Sequence, residues 1–591
     1  MKQFFKFMFA SMLGFLLTIF IFFFISIWII GALVSSASSK KTVKVEKGTI
    51  LHMNFKAPIV DRSSGNPFDN FDFNSFSASK QPGLNELLKS LDNAAQDPHI
   101  EGIYLDLSGL EGGMATVEEL RDGLLEFKKS KKFIYAYSDF YSQGSFYLAS
   151  VSDQIWLNPE GVVEFKGMAA QIPFFKGLLN KLEIEPQVIR HGKFKSAIEP
   201  FILDKMSDEN REQLAKYVNS FWTHMVTEIS VSRKLDAQQV MMIADSLKLQ
   251  TAEDALNYKF IDKIGFKDEF LALLQEKTSA KKSDDIKFVS LNKYSKAEVD
   301  ANKKEFTRDK IAVIYASGTI VSGKGEANEI GSESLSQTIR KAREDDKVKA
   351  VVLRVNSPGG DALASEVIWR EMELCKKVKP VVVSMGDVAA SGGYYISCGA
   401  DTIVAQPNTV TGSIGVFGLF FNLQKMFDSK LGVTFDTYRT GQYSDIGSGI
   451  RSLTDAERQI FQNAVERVYG TFTKRVSDGR KMPVADVDSL GQGRVWSGTD
   501  ALASGLVDVM GGLDDAVKIA ANMAGVSNYR LSELPEEKDP VKQIMEEISG
   551  DVETRWVKYQ MGDQFFFYKS AKSVLKMQGI QTRLMYDLSI D

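Results

Sequence analysis

The chain has 591 residues, of which 44% are hydrophobic and 25% charged, with a formal net charge of -4. This length predicts two or more domains, and the composition is typical of a folded globular protein. The slightly acidic balance, without a long basic run, argues against a nucleic-acid partner. The two cysteines, Cys375 and Cys398, cannot form a disulfide framework and are predicted to be small buried apolar residues. Because CxxC, HExxH and close histidine pairs are missing from the sequence, no metal or other cofactor is expected.

The first element in chain order is an apolar segment. Residues 8–34 carry no charge and are rich in Leu, Ile, Phe and Trp. A helix rising about 1.5 Å per residue crosses a ~30 Å hydrocarbon core over this length, which predicts a transmembrane anchor within residues 1–45. A signal peptide cleaved near 35–37 is the alternative, but its apolar core is usually only ~7–15 residues long. Lysines on both sides of the segment leave the orientation undecided by the positive-inside rule.

An internal repeat follows. A strand-like segment around Leu105, a helical stretch and a second strand near Asp139 recur at the same offset around Leu353 and Asp387. Continuous Val and Ile runs separated by helical stretches predict buried parallel strands joined by helices, and hence two copies of one α/β domain. The predicted organisation is a first repeat at 46–290, a linker at 291–310, a second repeat at 311–526 and a tail at 527–591.

The two copies differ at the positions that could carry chemistry. Ser391 follows a strand and opens a helical segment, where free N–H groups and the helix dipole favour developing negative charge. Its equivalent in the first copy is Gln143, which cannot be a nucleophile. Conversely, Lys195 of the first copy aligns with Ser444 of the second, which cannot be a base. A site containing both a nucleophile and a base therefore has to be built from both halves.

Four motifs carry a resemblance to a known family. In chain order they are GKFKSAIEP at 192–200, NSPGG at 356–360, AASGGY at 389–394 and TGSIG at 411–415. With the N-terminal segment and the closing QGIQ at 578–581, they resemble the long, duplicated form of the signal peptide peptidase A family, also called protease IV. The resemblance implies tandem crotonase-like (ClpP-like) α/β domains after a transmembrane helix. It also implies a single-pass serine endopeptidase of the bacterial inner membrane, with a periplasmic catalytic domain, that degrades cleaved signal peptides.

The resemblance also implies residue roles and an assembly. The nucleophile falls on Ser391, the general base on Lys195 and the hydroxyl that positions the lysine on Ser413. The N–H groups of Gly360 and Gly392 fall where an oxyanion hole is expected. The implied assembly is a homotetramer. The dyad is expected within one chain because the linker keeps the halves adjacent, with pairing between neighbouring chains as the alternative.

The choice of a base for the serine can also be considered from the chemistry of the residue types alone. A serine hydroxyl needs a neighbouring base, and His191 is the only histidine close to a motif. Lysine can serve as the base if its pKa falls from ~10.4 to roughly 7–8, which corresponds to about 4 kcal/mol of destabilisation of the charged amine. Desolvation beside apolar residues such as Phe194 and Ile198 would lower the pKa in this way. The pattern alone does not choose Lys195 over Lys193; the family motif does.

Two other classes of function remain open at this stage. One is a crotonase-class acyl-CoA enzyme, which shares the expected fold and also holds an oxyanion with backbone N–H groups. The N-terminal apolar segment and the division of serine and lysine between the halves argue against it. The other is a catalytically silent membrane scaffold, which leaves the presence of both Ser391 and Lys195 unexplained.

Overall fold

The computed structural model describes residues 2–38, 43–55, 57–63, 71–72, 77–78, 81–278, 280–297, 307–326, 328–536 and 579–584. The chain begins with one long helix, α1 (Lys2–Ser38). Its stretch Gln3–Ile25 has a mean hydropathy of 2.5, and none of that stretch is buried inside the protein. By length and composition this helix fits a single-pass membrane anchor.

The first repeat is an α/β unit built on a parallel sheet. Its strands are β1 (Thr49–Asn54), β2 (Phe71–Asp72), β3 (Ser77–Ala78), β4 (Ile100–Asp106), β5 (Phe133–Tyr141), β6 (Gln154–Val163), β7 (Glu185–Arg190), β8 (Lys263–Ile264) and β9 (Lys287–Ser290). Its helices are α2 (Leu84–Gln96), α3 (Met114–Lys128), α4 (Gln143–Ala149), α5 (Lys176–Leu182), α6 (Glu199–Ile202), α7 (Asp208–Arg233), α8 (Ala237–Asp245), α9 (Ala252–Asn257), α10 (Lys267–Thr278) and α11 (Leu291–Tyr294). Six strands pair in parallel in the order β8-β6-β5-β4-β1-β9.

The second repeat has the same plan. Its strands are β10 (Lys310–Ser317), β11 (Thr319–Val321), β12 (Glu329–Gly331), β13 (Val348–Ser357), β14 (Gly359–Asp361), β15 (Val381–Ala390), β16 (Thr402–Ala405), β17 (Val410–Gly412), β18 (Phe417–Asn422), β19 (Val495–Ser497), β20 (Val509–Met510), β21 (Arg530–Leu534) and β22 (Gly579–Arg583). Its helices are α12 (Ser332–Glu344), α13 (Ala362–Lys376), α14 (Gly392–Ser397), α15 (Asp455–Arg480), α16 (Val484–Leu490), α17 (Gly498–Ala503) and α18 (Leu513–Met523). The main sheet runs β19-β17-β15-β13-β10-β21, and β16 and β20 extend from β15.

The structure confirms the internal repeat. Strands β4 and β13, and then β5 and β15, occupy matching positions, and the short helices α4 and α14 follow β5 and β15 directly. The long helices α7 and α15 both have 26 residues. The central strand β13 is buried along almost its whole length because helices cover both faces of a parallel sheet. Cys375 and Cys398 lie in the core of this repeat, fully buried and without a disulfide, as predicted.

A third sheet is shared by the two repeats. Its strand order is β12-β11-β14-β22-β18-β7, so a strand of the first repeat forms the edge of a sheet that otherwise belongs to the second. Strand β7 runs antiparallel to β18, with Arg190 opposite Phe417 and Glu185 opposite Asn422. This pairing places the segment that follows β7 against the second repeat.

Buried polar groups also join the two repeats. The guanidinium of Arg354 is fully buried and lies 2.8 Å from Asp61 and 2.6 Å from Glu119, both from the first repeat. Burial raises the pKa of Glu119 to about 7. Nearby, Asp387 accepts hydrogen bonds from the Thr116 N–H at 2.9 Å and hydroxyl at 2.7 Å. Removing one partner of a buried ion pair typically costs about 3–5 kcal/mol, so these contacts fix how the halves dock.

The linker and the tail are more structured than their predicted boundaries suggest. Within the predicted linker, α11 packs on the first repeat, and the buried Tyr294 donates a hydrogen bond to Asp97 at 3.1 Å. Within the predicted tail, β21 extends the main sheet beside β10, and β22 enters the shared sheet. The polar composition of 291–310 and the distance of β22 along the chain conceal these pairings from sequence analysis.

Candidate active site

Ser391 occupies a sharp turn between a strand and a helix. Strand β15 ends at Ala390 and α14 begins at Gly392. The serine has φ +57° and ψ -111°, a backbone conformation that costs a non-glycine residue about 1–3 kcal/mol and is kept only where the surroundings impose it. Its N–H donates to the Gly412 carbonyl at 2.8 Å, and its carbonyl accepts from Tyr395 N–H at 2.8 Å. The backbone of this turn is therefore fixed by hydrogen bonds on both sides of the serine Cα.

Lys195 reaches this serine from the other repeat. It lies in the segment after β7, just before the 3-10 turn Ser196–Ile198. Its Nζ is 2.9 Å from Ser391 Oγ and 3.1 Å from Ser413 Oγ. The side chain is 1% exposed, and burial lowers the pKa of Lys195 from its usual value near 10.5 to about 7. A substantial fraction of this amine is consequently neutral at physiological pH.

The turn at Gln492 and Gly493, which sequence analysis did not predict, packs against the lysine. Gly493 has φ +85°, and a Cβ placed on it would lie 2.6 Å from Lys195 Cα. On the same turn, the Gln492 carbonyl accepts a hydrogen bond from Phe194 N–H at 3.0 Å. Only a residue without a side chain allows this approach. The glycines on either side of Gln492 were the available signal, but they lie almost 300 positions from the lysine.

The two predicted oxyanion-hole glycines lie on different elements that pack against each other. Gly360 belongs to β14, and Gly392 is the first residue of α14. A Cβ placed on Gly359, which has φ +93°, would lie 2.5 Å from the Gly392 nitrogen. The Gly359-Gly360 backbone is therefore packed directly against the turn that carries Ser391.

Ser413 lies beside Lys195 in a second strained turn. It follows β17, which runs parallel to the end of β15, and it has φ +49°. Its N–H donates to the Arg494 carbonyl at 2.7 Å. Both its hydroxyl and its carbonyl face the lysine, the latter at 3.3 Å from Nζ. All five predicted site residues are thus brought together at the junction of the repeats.

The alternative base, His191, has a different environment. Its Nδ1 lies 2.6 Å from the Glu466 carboxylate, and its ring stacks on Tyr469 with centroids 3.7 Å apart. Both partners belong to α15. These contacts support a packing role for the histidine.

The equivalents of the dyad in the opposite repeats do not meet. The Gln143 side chain contacts its own repeat. Its Oε1 accepts hydrogen bonds from the backbone N–H groups of Lys166 at 3.2 Å and Gly167 at 3.1 Å. Ser444 is exposed, and its hydroxyl accepts a hydrogen bond from the N–H of Gly441 and donates one to the Gly441 carbonyl, both at 2.9 Å. An open cleft lies beside Gln143, lined in part by Gly112, Ser142, Gly144 and Tyr147.

Comparison with known protein families also shows the duplication, because one family model matches the chain twice. Peptidase family S49 matches residues 126–281 and 373–527, once in each repeat. The chain belongs to peptidase family S49. The Clp protease family also matches residues 302–411, in accordance with the predicted ClpP-like α/β fold.

Curated relatives match over most of the chain. Protease 4 of Salmonella typhi is 38% identical over 484 residues, covering 80% of this chain and 77% of that protein. The chloroplastic serine protease SPPA of Arabidopsis thaliana is 34% identical over 514 residues, covering 86% and 74%. Protease 4 of Haemophilus influenzae is 36% identical over 450 residues, covering 74% and 72%. The chain is therefore a serine protease with duplicated S49 domains, which rules out the acyl-CoA enzyme and the silent scaffold.

Proposed function

We propose that this S49 protease is a membrane-anchored endopeptidase that degrades cleaved signal peptides with a Ser391–Lys195 dyad. The observation that carries the proposal is the 2.9 Å separation of Lys195 Nζ and Ser391 Oγ, at a buried junction to which each repeat contributes one group. A nucleophile and base within hydrogen-bond reach, with a third group orienting the base, are the signature of covalent catalysis. Ser413, 3.1 Å from Nζ, is that third group.

The geometry supports an acyl-enzyme mechanism. Neutral Lys195 takes the proton of Ser391 as Oγ attacks the substrate carbonyl carbon, and the amine then donates this proton to the leaving nitrogen. The N–H groups of Gly360 and Gly392 stabilise the oxyanion, a contribution of about 2.7–4 kcal/mol per donor in other enzymes. Water, activated by the same lysine, hydrolyses the ester and regenerates Ser391.

The substrate class follows from the anchor and the groove. Helix α1 would hold the site at the membrane surface, where apolar peptide fragments remain after precursor processing. Strands β14 and β18, which both pair with β22, run beside the dyad. Pairing with strand backbone is the mode of recognition in which main-chain hydrogen bonds give affinity for an extended peptide. Small or apolar side chains fit such a site. We propose that the catalytic domain lies on the periplasmic side of the inner membrane.

An exposed segment supports assembly into a ring. The first-repeat strand β7 pairs with β18, but its second-repeat equivalent, residues 434–439, is wholly exposed, including Tyr438 at 93%. The first-repeat equivalent of β18, residues 168–173, likewise has no strand partner in the described part of the chain. A second copy can pair its 434–439 with this edge, and the repetition of this head-to-tail contact closes a ring. We assign four chains to it, with one dyad in each chain.

Hydrolysis of a synthetic signal peptide by the detergent-solubilised protein tests the proposed activity. Fragments detected by mass spectrometry, and lost in both Ser391→Ala and Lys195→Ala, would support it. An acyl-CoA thioester serves as the control substrate. Thioester turnover without peptide cleavage, or unchanged cleavage in either variant, would contradict the proposal.

Orientation is tested separately with intact spheroplasts. Trypsin added outside should digest the catalytic domain if it is periplasmic. Protection until the membrane is permeabilised would place the domain in the cytoplasm and remove the proposed substrate source.

A further inference from the structure

Lys195 is the central residue of an inverse γ-turn. Its backbone has φ -74° and ψ +74°, and the Ser196 N–H donates to the Phe194 carbonyl at 2.8 Å. This three-residue turn is closed by one hydrogen bond of its own. Because fixing a backbone residue costs more entropy than one hydrogen bond typically returns, other contacts have to maintain the shape of the turn.

Gln213, on helix α7, makes such contacts on both sides of the lysine. Its Nε2 donates to the Phe194 carbonyl at 3.1 Å and to the Ser196 hydroxyl at 3.0 Å. The Gln213 side chain is 2% exposed. One buried amide therefore binds the residue before Lys195 and the residue after it.

The same amide also contacts the second repeat. Its Oε1 accepts a hydrogen bond from the N–H of Val495, in β19, at 3.1 Å. A backbone N–H can only donate and a backbone carbonyl can only accept, so these two partners fix which end of the amide faces each of them. Val495 lies two residues after Gly493, whose turn packs against Lys195. Gln213 thus joins the γ-turn to the repeat that carries Ser391.

A second buried polar group ties α7 to the lysine-bearing segment, residues 192–200. The Asn210 Oδ1 lies 3.2 Å from Gln213 Nε2, and the Asn210 Nδ2 donates to the Glu199 carboxylate at 2.9 Å. Glu199 is 1% exposed. The network therefore begins and ends on the segment that carries Lys195, with Gln213 at its centre.

We propose that Gln213 is a positioning residue for the general base: its amide holds the γ-turn against the second repeat and so keeps Lys195 Nζ within hydrogen-bond distance of Ser391 Oγ. The inference rests on the proposed function, since it takes Lys195 as the base. Gln213 acts through Lys195, because its polar contacts are to the backbone and side chains around the lysine.

Gln213→Met in the full-length protein tests this role. Methionine has a similar length but no hydrogen-bonding amide, so the γ-turn loses its contacts on both sides of the lysine. We expect kcat to fall about 100-fold, the loss associated with a displacement of about 1 Å, while KM stays nearly unchanged. The control is Gln406→Met, which should retain near-normal kcat. Gln406 is also 2% exposed and bridges the repeats, but its Nε2 donates to Asp122 at 3.1 Å.

The pH profile distinguishes positioning from a general loss of stability. Burial lowers the pKa of Lys195 to about 7, and a relaxed turn would let the amine reach water and regain a pKa closer to its usual value near 10.5. The midpoint of kcat/KM should therefore move to the alkaline side by about one pH unit or more in Gln213→Met. In Gln406→Met it should stay near pH 7. A smaller folded fraction alone would lower the rate at every pH without moving the midpoint.

A stability measurement tests the inference without hydrolysis. Lys195→Met is made in the parent and in the Gln213→Met background, and Tm is measured at pH 6 and pH 9.5. The gain in Tm should be larger at pH 6 in the parent, because a buried charge is removed. In the Gln213→Met background the amine is hydrated, so the gains at the two pH values should become nearly equal. A parent protein that is inactive on peptides would refute the proposed function, and this measurement would still report on Gln213.

Three results would overturn the inference. One is a kcat in Gln213→Met equal to that of the parent, and another is a lower rate with an unmoved pH midpoint. The third is a pH dependence of the Tm gain that is the same in both backgrounds. If Gln213→Met does not fold, Gln213→Asn is measured in the same assays, with changes expected in the same directions. Its amide is one methylene shorter and cannot reach both the Phe194 carbonyl and the Val495 N–H.

Discussion

Lys195 Nζ and Ser391 Oγ lie 2.9 Å apart although 196 positions separate the two residues in the chain. The contact is made because β7 crosses to the second repeat and pairs with β18. The proposed dyad is therefore a property of the interface between two domains, each of which contributes one of its two groups.

Removing either member of the dyad should abolish peptide hydrolysis while the fold survives. Loss of such a nucleophile or base typically lowers kcat by several orders of magnitude. Ser391→Ala and Lys195→Ala are measured by peptidase assay, with circular dichroism to verify folding. His191→Ala is the control and should retain near-normal activity, because its ring bonds to Glu466. An inactive His191→Ala beside an active Lys195→Ala would reverse the assignment of the base.

The peptidase rate should rise with pH through about 7. Burial lowers the pKa of Lys195 to that value, and the base works only when it is deprotonated. The rate should therefore be lost on the acid side of pH 7 and level off above about pH 8. A profile of kcat/KM from pH 5 to 9 with a short peptide measures this. A flat profile would contradict a lysine base.

Lys195→Met should make the protein more stable at neutral and acid pH. The folded-state pKa of Lys195, about 7, lies below its unfolded value near 10.5. Below pH 7 the full penalty for burying the charged amine applies, on the order of 5 kcal/mol, and this penalty vanishes as the pH rises above 10.5. Thermal unfolding should show a larger gain in Tm at pH 6 than at pH 9.5. An equal gain in Tm at pH 6 and pH 9.5 would show that the variant is stabilised by better packing and not by removal of a buried charge.

Gly493→Ala should impair catalysis through the position of the lysine. The new Cβ would lie 2.6 Å from Lys195 Cα in a backbone conformation with φ +85°. A displacement of about 1 Å can cost roughly 100-fold in rate. Gly525→Ala is a matched control, because Gly525 has φ +66° and open space around the added methyl. Equal activities of the two variants would show that the close approach at Gly493 is not required.

Phe435→Asp combined with Tyr438→Asp should dissociate the proposed ring. Both side chains lie in the exposed segment 434–439, at 44% and 93% exposure. Light scattering of the solubilised protein should report a change from tetramer to smaller species. Val378→Asp, at a site 65% exposed elsewhere, is the control and should leave the mass unchanged. A monomeric parent protein would refute the ring.

Mixing the two inactive proteins distinguishes pairing within a chain from pairing between chains. In the structure, Lys195 meets Ser391 of its own chain. Mixed Ser391→Ala and Lys195→Ala proteins, allowed to exchange subunits, should therefore stay inactive. Substantial recovered activity would show that neighbouring chains share dyads.

The sequence was sufficient for the features that recur locally. Val and Ile runs predicted the parallel strands. The repeat was predicted because the offset from Leu105 to Leu353 equals the offset from Asp139 to Asp387. It was insufficient where distant segments meet. Buried Arg354 with Asp61, Gly493 beneath Lys195 and Thr582 opposite Gly360 each join parts of the chain that no periodicity relates. Those contacts depend on how the halves dock, and docking leaves little trace in local patterns.

The division of the dyad has a consequence for the order in which the chain is made. During synthesis, the lysine-bearing half emerges first and carries Gln143 in place of a nucleophile. In the folded chain the turn at Gly493 lies directly against Lys195, which is buried. Under the proposed mechanism, a chain cut off before Ser391 has no nucleophile and cannot hydrolyse peptides. The proposed division of the dyad therefore delays proteolysis until the second half has been synthesised and has docked on the first.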